Sequence, residues 1–340
     1  MTGGKRLEEY PYDRAFSEYG YSEKVREDAC TLYRIENASG TGVLRCYDVF
    51  PGAQIIYNDL HMGTCFQKIH AAQGFLQINH CREGSFELEL QNGMVSFLTE
   101  GDVAVNAPGI QQIANSRLPT GRYMGVAILL ELATAGRALD ILLPNSGINL
   151  PRLSEKLCSG RELFLLRARP EIEHIFSELY HVDDRIRDTY TFLKTAELLL
   201  FLTLAENARR DPLPRFSRQV VEATKGVCAY LLKEPCSKTT ICALAGRFHI
   251  ADTSLRECFK SIYGQPIGAF IRVQRMKRAA AMLRSEDELS IGQIAQMTGY
   301  ENQSKFAAAF KTVLGESPLT YRHRHVSRND KLEQKIDVSE

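Results

Sequence analysis

Two short stretches of the sequence carry side chains suited to planar hydrogen-bonding edges and to phosphates. One holds Asp252, Thr253, Ser254, Arg256, Glu257 and Lys260; the other holds Asn302, Gln303, Ser304, Lys305, Ala308 and Lys311. Arg256 can offer two donors at once, as guanine O6 and N7 require. Thr253 suits a thymine methyl, and Glu257 could accept from cytosine N4 or orient Arg256. Gln303 and Ser304 could bond base edges or phosphates, whereas Lys305 and Lys311 suit phosphate. Ser254, Lys260 and Asn302 complete the candidate set.

Other chemistry finds less support. His61, Cys65, His70, His80 and Cys81 lie close together in sequence, but zinc wants about four converging ligands at short fixed spacing. No metal and no cofactor is expected. The chain has no phosphate-cradling loop, nucleophile elbow or paired-carboxylate signature, so it reads as a non-enzyme. Its nine cysteines are irregularly spaced and read as reduced thiols.

The two polar stretches need helices to hold them, and the sequence supplies those helices twice. Thr240-Ile-Cys-Ala-Leu-Ala245 matches Ser290-Ile-Gly-Gln-Ile-Ala295 at an offset of 50. Leu255, Phe259-Lys260 and Gly264 match Phe306, Phe310-Lys311 and Gly315 at an offset of 51. The one-residue change belongs in the turn, where insertion costs least. Each copy has a hydroxyl cap, a short helix, a turn and a second helix; Ser290 with Gln293 makes a capping box that Thr240, followed by Ala243, lacks. The units are expected at about 240–260 and 290–311. Leu244, Ala245, Ile250, Leu255, Phe259, Ile294, Ala295, Tyr300, Phe306 and Phe310 read as core. Between the copies, Pro266–Arg284 reads as one long helix. Phe270, Ile271, Val273, Met276, Ala279, Ala280 and Leu283 form its apolar face, and Arg272, Arg275, Lys277 and Arg278 point elsewhere. Such a helix would let two second helices enter successive major grooves about 34 Å apart.

These residues carry a family resemblance. Residues 218–325 resemble the DNA-binding domain of AraC/XylS-family transcription regulators. The most specific part is Ile291–Arg322, IGQIAQMTGYENQSKFAAAFKTVLGESPLTYR, which follows the family pattern IAxxxGYxxxSxFxxxFKxxxGxxPxxYR. QSKFAAAFK is also similar to the branch near siderophore-responsive regulators. Ala251 and Ala308 depart from the pattern, one where a capping Ser is usual and one on the exposed face, so Asp252 could take over the cap. The resemblance implies double-stranded promoter DNA and RNA polymerase as partners, an effector-controlled activator, and a cupin-like barrel ahead of the DNA-binding part. SFELELQNGMVSFLTEGDVAVNAPG, from Ser85 to Gly109, resembles a hairpin and turn of such barrels, although the usual cupin ligand set is absent.

Residues 40–130 do read as β, with turn signals every 8–16 residues, as sandwiches and barrels require. Phe86, Leu88 and Leu90 alternate with Ser85, Glu87 and Glu89, and Asn92-Gly93 reads as the hairpin turn that follows. Phe66, Phe75, Leu76, Phe86, Leu88, Phe97 and Val105 are expected to line the interior; Phe66, Phe75, Phe86, Leu88 and Phe97 are the ligand candidates. An interior filled by side chains alone is equally open. Glu171–Asp188 and Thr191–Arg210 show helical spacing. The wide apolar stripe of the second, which includes Leu199 and Leu200, faces either the core or a second copy in a homodimer.

The expected class is therefore α+β multidomain: an N-terminal cupin-like β-barrel with following helices, and a C-terminal all-α double helix-turn-helix domain. The boundaries expected are 1–135 for a β-rich effector domain, 136–210 for a helical dimerisation region, 211–217 for a linker, 218–325 for the DNA-binding domain and 326–340 for a charged tail. Charge supports the division. Residues 218–325 hold 16 Lys+Arg against 9 Asp+Glu, whereas 1–217 hold 23 against 28, and such asymmetry suits one module that meets a polyanion. No apolar run approaches the roughly 20 residues of a membrane span, and MTGGKRLEEYPYD has no export signal's apolar region. A cytoplasmic location without membrane contact is expected. Two other readings stay open: a small-molecule-binding cupin enzyme fused to a DNA-binding domain, and a regulator controlled by a protein partner.

Overall fold

The computed structural model describes residues 21–27, 30–67, 74–90, 92–107, 113–158, 164–166, 170–204, 214–285 and 288–325. The chain divides into two compact units, residues 1–218 with 261–264, and residues 219–260 with 265–340. His70, Pro108-Gly109, Arg209 to Leu213 and the 326–340 tail lie outside the described residues. No helix described is long and apolar enough to cross a membrane.

The first unit is built on β1 (Tyr21–Arg26), β2 (Thr31–Asn37), β3 (Gly40–Phe50), β4 (Ala53–Met62), β5 (Thr64–Gln67), β6 (Phe75–Leu90), β7 (Met94–Thr99), β8 (Val103–Asn106), β9 (Ile113–Arg117), β10 (Tyr123–Glu131), β11 (Phe164–Leu166) and β12 (Phe216–Ser217). Its order runs β1-β2-β3-β4-β10-β6-β7-β12, with β8, β9, β5 and β11 branching from the long strand β6. Among the described residues the order does not return to β1. The expected barrel is therefore an open sheet.

β6 explains the shape. Its first half pairs with β10 and β8, and its second half with β7 and β9. A bulge between the halves, where Gly125 faces Cys81 and Met124 faces Glu83, shifts the side-chain alternation by one. Gly84 sits at this bend with φ +86°, and a Cβ there would lie 2.1 Å from the Arg122 carbonyl oxygen. The shift places Cys81 and Phe86 in one apolar cluster with Leu44, Ile56, Leu60 and Tyr123.

That change of alternation, together with the β6–β7 register, splits the residues expected to line one interior. Leu76 and Val105 belong to the opposite face, packed against helices. Phe97 is across from Glu87, not Phe86, and its ring lies 6.2 Å from that of Phe216. Phe86 does face the inner cluster. Leu88 is buried and Phe75 half-buried. Phe66 lies in β5, but its side chain is outside the described residues.

The Asn92-Gly93 turn closes the β6–β7 hairpin, with Gly93 at φ +76° and the Gly93 amide donating to the Leu90 carbonyl at 2.9 Å. The polar side of β6 is not a solvent face, however. Glu87 is only 1% exposed and is held by Arg218 at 2.5 Å and Arg117 at 3.4 Å; Arg218 also reaches Glu89 at 2.6 Å. The expected linker 211–217 is correspondingly not free where it is described. Phe216 and Ser217 pair with Val95 and Met94, and the Ser96 hydroxyl donates to the Pro214 carbonyl at 3.3 Å. Two arginines compensate the buried carboxylate, which would otherwise carry a large desolvation cost.

Helices α1 (Leu132–Leu142), α2 (Leu150–Cys158), α3 (Pro170–Leu179) and α4 (Arg187–Leu204) cover the other sheet face. The helical reading of Glu171–Asp188 spans a break: α3 ends at Leu179, and a short 3-10 turn, Asp184–Ile186, leads into α4. Asp183 caps that turn by accepting from the Arg185 amide. The core side of α4 takes Ala196, Leu198, Leu199 and Leu202.

His80, on the helix-facing side of β6, is 1% exposed. Its ring stacks on Phe176 of α3 with centroids 4.1 Å apart. Nδ1 lies 3.1 Å from the Tyr180 hydroxyl and Nε2 lies 3.4 Å from Glu173. Burial pushes the imidazole below its ordinary pKa of 6.5, against the opposing pull of the Glu173 carboxylate. The folded chain thus binds fewer protons here than the unfolded chain as pH falls through 6.5, so stability is full above that pH and declines on acidification until the folded site also protonates. Urea unfolding of the full chain at pH 7.5 and 5.5 should show a larger acid loss for wild type than for His80→Phe. Equal losses would remove His80 from the effect.

Candidate nucleic-acid interface

The second unit is all helical: α5 (Arg218–Lys233, whose first residue belongs to the first unit), α6 (Ile241–Arg247), α7 (Asp252–Tyr263, whose last three residues belong to the first unit), α8 (Ile267–Ser285), α9 (Ile291–Met297) and α10 (Gln303–Leu314). The sequence repeat becomes a repeat of hydrogen bonds. Leu244 N–H donates to Thr240 C=O, Phe248 to Leu244, His249 to Gly246 and Ile250 to Ala245. In the second copy Ile294 donates to Ser290, Thr298 to Ile294, Gly299 to Gln296 and Tyr300 to Ala295. The next equivalent pair, Leu255 to Ala251 and Phe306 to Asn302, is offset by one more residue. Glu301 is the insertion.

The caps differ as their side chains require. Thr240 accepts from the Ala243 amide at 3.2 Å. Ser290 and Gln293 form the full reciprocal box, which satisfies two otherwise orphaned donors. Asn302 accepts from both Ser304 and Lys305 amides at 2.8 and 3.0 Å, so its carbonyl oxygen is committed to starting α10. Asp252 spends its carboxylate on Arg256, with Nε 3.0 Å from Oδ1 and a second bond at 3.2 Å to Oδ2.

Phe259 and Phe270 meet at 5.3 Å between α7 and α8. Further along α8, Met276, Ala279, Ala280 and Leu283 form a core with Ile294, Ala295, Phe306, Phe310 and Tyr321. These fixed anchors leave Thr253, Arg256, Glu257 and Lys260 exposed on α7, with Ser254 half-buried. On α10, Gln303, Ser304, Lys305, Ala308 and Lys311 are exposed, and Asn302 is exposed at its start. Each unit therefore presents its second helix as a polar face, the geometry that major-groove docking requires.

A family profile described as a helix-turn-helix domain matches residues 244–324. The F1 operon positive regulatory protein of Yersinia pestis is 43% identical over 68 residues, which cover 20% of this chain and 22% of that protein. The transcriptional activator AarP of Providencia stuartii is 37% identical over 78 residues, covering 23% and 57%. A putative AraC-like transcription regulator of Streptomyces lividans is 26% identical over 212 residues, covering 56% and 66%. Residues 244–324 are thus a helix-turn-helix domain of the AraC/XylS type. It spans well under two thirds of the first relatives it matches. Among solved structures, the DNA-binding domain of AdpA in complex with a target DNA has a TM-score of 0.30 and 24% identity, covering 31% of this chain and 95% of that one. Fatty-acid-bound ToxT from Vibrio cholerae strain SCE256 has a TM-score of 0.33 and 16% identity, covering 84% and 97%.

Within this AraC-type domain, two side chains differ from their reading in the sequence. Asp252, rather than Glu257, orients Arg256. Arg275 does not share the exposed side of α8 with Arg272, Lys277 and Arg278; it is half-buried. Its position next to Met276, inside the apolar stripe, was the available signal. His61 pairs with Asp59 at 3.0 Å and His80 faces the helices, so the two do not converge. Among the described residues no group of His, Cys, Asp and Glu could hold a metal ion.

The Asp252–Arg256 pair is exposed, and such pairs contribute about 0.3–0.5 kcal/mol to a helix. Arg256→Ala should thus leave thermal stability nearly unchanged. It should cost about 1–3 kcal/mol of discrimination at one base position, whereas Lys311→Ala weakens all sequences alike. Competition against single-base variants of a bound duplex separates them; a uniform loss with Arg256→Ala would make Arg256 a phosphate contact.

Proposed function

We propose that the protein is a transcription regulator whose α7 and α10 enter successive major grooves of promoter DNA under control of a small molecule taken by the N-terminal unit. The repeat of hydrogen bonds across two helix-turn-helix units carries this reading, because it presents two equivalent polar helices from one unit. The excess of 16 Lys+Arg over 9 Asp+Glu in 218–325 supplies attraction for phosphates. Activation with RNA polymerase, in the cytoplasm, is the corresponding regulatory reading, since AarP and the Yersinia protein are named as an activator and a positive regulator.

We read strands β1 to β10 of the open sheet as a cupin-like effector module within 1–135, with 136–210 as the dimerisation region and 218–325 as the DNA-binding domain. An apolar or aromatic ligand would be met by the inner face that carries Phe86 beside the buried Leu44, Ile56, Leu60 and Tyr123. A chain of amides offers a polar anchor: Gln77 donates to Asn79 at 3.0 Å, and Asn79 donates to Asn106 at 3.1 Å.

The DNA reading is tested by titrating the full-length protein with promoter duplexes at 50 and 200 mM salt. Six to ten phosphate contacts would cost about 10³–10⁵ in affinity across that range. Salt-insensitive binding, or none to any duplex, would defeat it.

A homodimer through α4 is also proposed. Leu193, Leu200 and Leu204 are 52%, 40% and 76% exposed and recur at spacings of seven and four, one side of a helix. Leu199 is excluded from such a contact because it is fully buried in the core. Leu200→Glu should therefore give a folded monomer with weaker binding to a two-site duplex, read by sedimentation and circular dichroism. Unfolding of the variant, or an unchanged molecular mass, would refute the contact.

A further inference from the structure

We propose that Arg275 is a positioning residue that fixes the separation of the two helix-turn-helix units and so selects the spacing between the two half-sites in DNA. The proposal rests on the DNA-binding reading above. Arg275 lies at the middle of α8, and its guanidinium works in two directions. Nε donates to the Pro235 carbonyl at 3.2 Å and a terminal nitrogen donates to the Ser237 carbonyl at 2.8 Å. Those carbonyls belong to the turn between α5 and α6. From there Ser237 Oγ continues to Thr239 Oγ1 at 2.7 Å and to the Tyr230 hydroxyl at 3.1 Å. Thr240, the cap of α6, follows directly.

The other side of the same guanidinium covers the turn of the second unit. A Cβ built on Gly299 would lie 3.0 Å from one terminal nitrogen of Arg275 and 3.1 Å from Cζ. The repeat shows that this is more than a turn's need for glycine. His249 occupies the equivalent position of the first unit with φ +56°, and histidine is among the residues that tolerate that conformation. The first turn thus accepts a side chain, whereas in the second a Cβ would press against the Arg275 guanidinium.

One planar cation therefore touches the start of the first unit and the turn of the second. Its fork of rigid donors can hold two carbonyls at once, which a lysine ammonium on a flexible stem does not reproduce. The apolar contacts of α8 fasten each unit separately, Phe270 to the first and Met276 to Leu283 to the second. Arg275 ties the two fastenings together. Adding one base pair to a duplex of about 10–10.5 base pairs per turn moves a half-site by about 3.4 Å and rotates it by about 35°. A rigid pair of units will resist that change.

The test uses the full-length protein and duplexes enriched by it from a randomised library. The enriched site is then remade with one base pair added or removed between its half-sites, and also as a single half-site. Wild type should lose at least about 10-fold in affinity at either altered spacing, because the second contact is no longer reached at full effective concentration. Arg275→Gln should bind the original site about 10-fold more weakly, distinguish the three spacings by less than about 3-fold, and match wild type on the single half-site. Arg275→Lys should fall between them. A purely structural role would weaken single and double sites together, and that result overturns the proposal, as does a wild-type spacing profile in Arg275→Gln. If Arg275→Gln shows no cooperative melt, Arg275→Lys decides by the same profile, and identity with wild type overturns it. Failure of wild type to enrich any duplex defeats the DNA reading itself and this proposal with it.

Discussion

Burial along α8 is the constraint on which the helical unit depends. Ile267 and Phe270 are buried toward its start, and Met276, Ala279, Ala280, Met282 and Leu283 toward its end. Each fully buried Phe, Met or Leu contributes about 1.5–3 kcal/mol, so neither small helix-turn-helix unit keeps its core without this helix. A unit of two short helices cannot bury enough apolar surface alone. Sharing one helix between two cores solves that problem and gives both units a common rigid axis. The alanines at 279 and 280 matter for the same reason as the larger residues, because they let Ile294 and Phe306 approach the helix closely.

The sheet unit depends on a different device. β6 belongs to two parts of the sheet, and its bulge turns the apolar side of the strand from the helix-facing core, which holds Leu76 and Ile78, to the inner cluster, which holds Phe86. The consequence is that the outward side of its second half must be covered. Phe97 and Phe216 close part of it, and Arg218 with Arg117 neutralises Glu87. Arg218 is also the first residue of α5. The segment leading to the helical unit is thereby integral to the sheet unit's packing, and a substitution at Glu87 would disturb the sheet and that segment together.

How far the sequence reveals each feature follows from the range of the interaction behind it. The helical repeat was legible because its caps and turn bonds join residues three to five apart, and periodic apolar residues mark their sides. The hairpin at Asn92-Gly93 was legible for the same reason. What the alternation of β6 could not show was the bulge, since a single extra residue in the ladder inverts every later side chain. Assigning Leu76 and Phe86 to one interior failed there, and the hairpin register that sets Phe97 across from Glu87 took Phe97 from the same interior. Glu87 meets Arg218 across 131 positions and Arg275 meets Pro235 across 40. Neither partner follows from local pattern. An arginine inside an apolar stripe and a glutamate on an apparently exposed face announce only that a partner is needed.

The two units are alike in backbone and unlike in what they present. In the first, Asp252 is bonded to Arg256 one turn along, so the arginine is held near the start of α7 with its charge partly answered. In the second, the cap is Asn302, Glu301 is inserted before it, and Ala308 occupies the exposed side of α10. Under the proposed function this asymmetry divides the work. Arg256 can supply two aligned donors to a base edge, and exchanging Asp252 for guanine keeps the guanidinium bonded throughout. The second helix offers Gln303 and Ser304 to base edges, and Lys305 and Lys311 to the flanking phosphates. Two units that each meet a half-site need a constant distance between them, because a half-site moved by one base pair takes one of the two helices off its base edges. Rigidity in α8 is then a condition of specificity as well as of affinity.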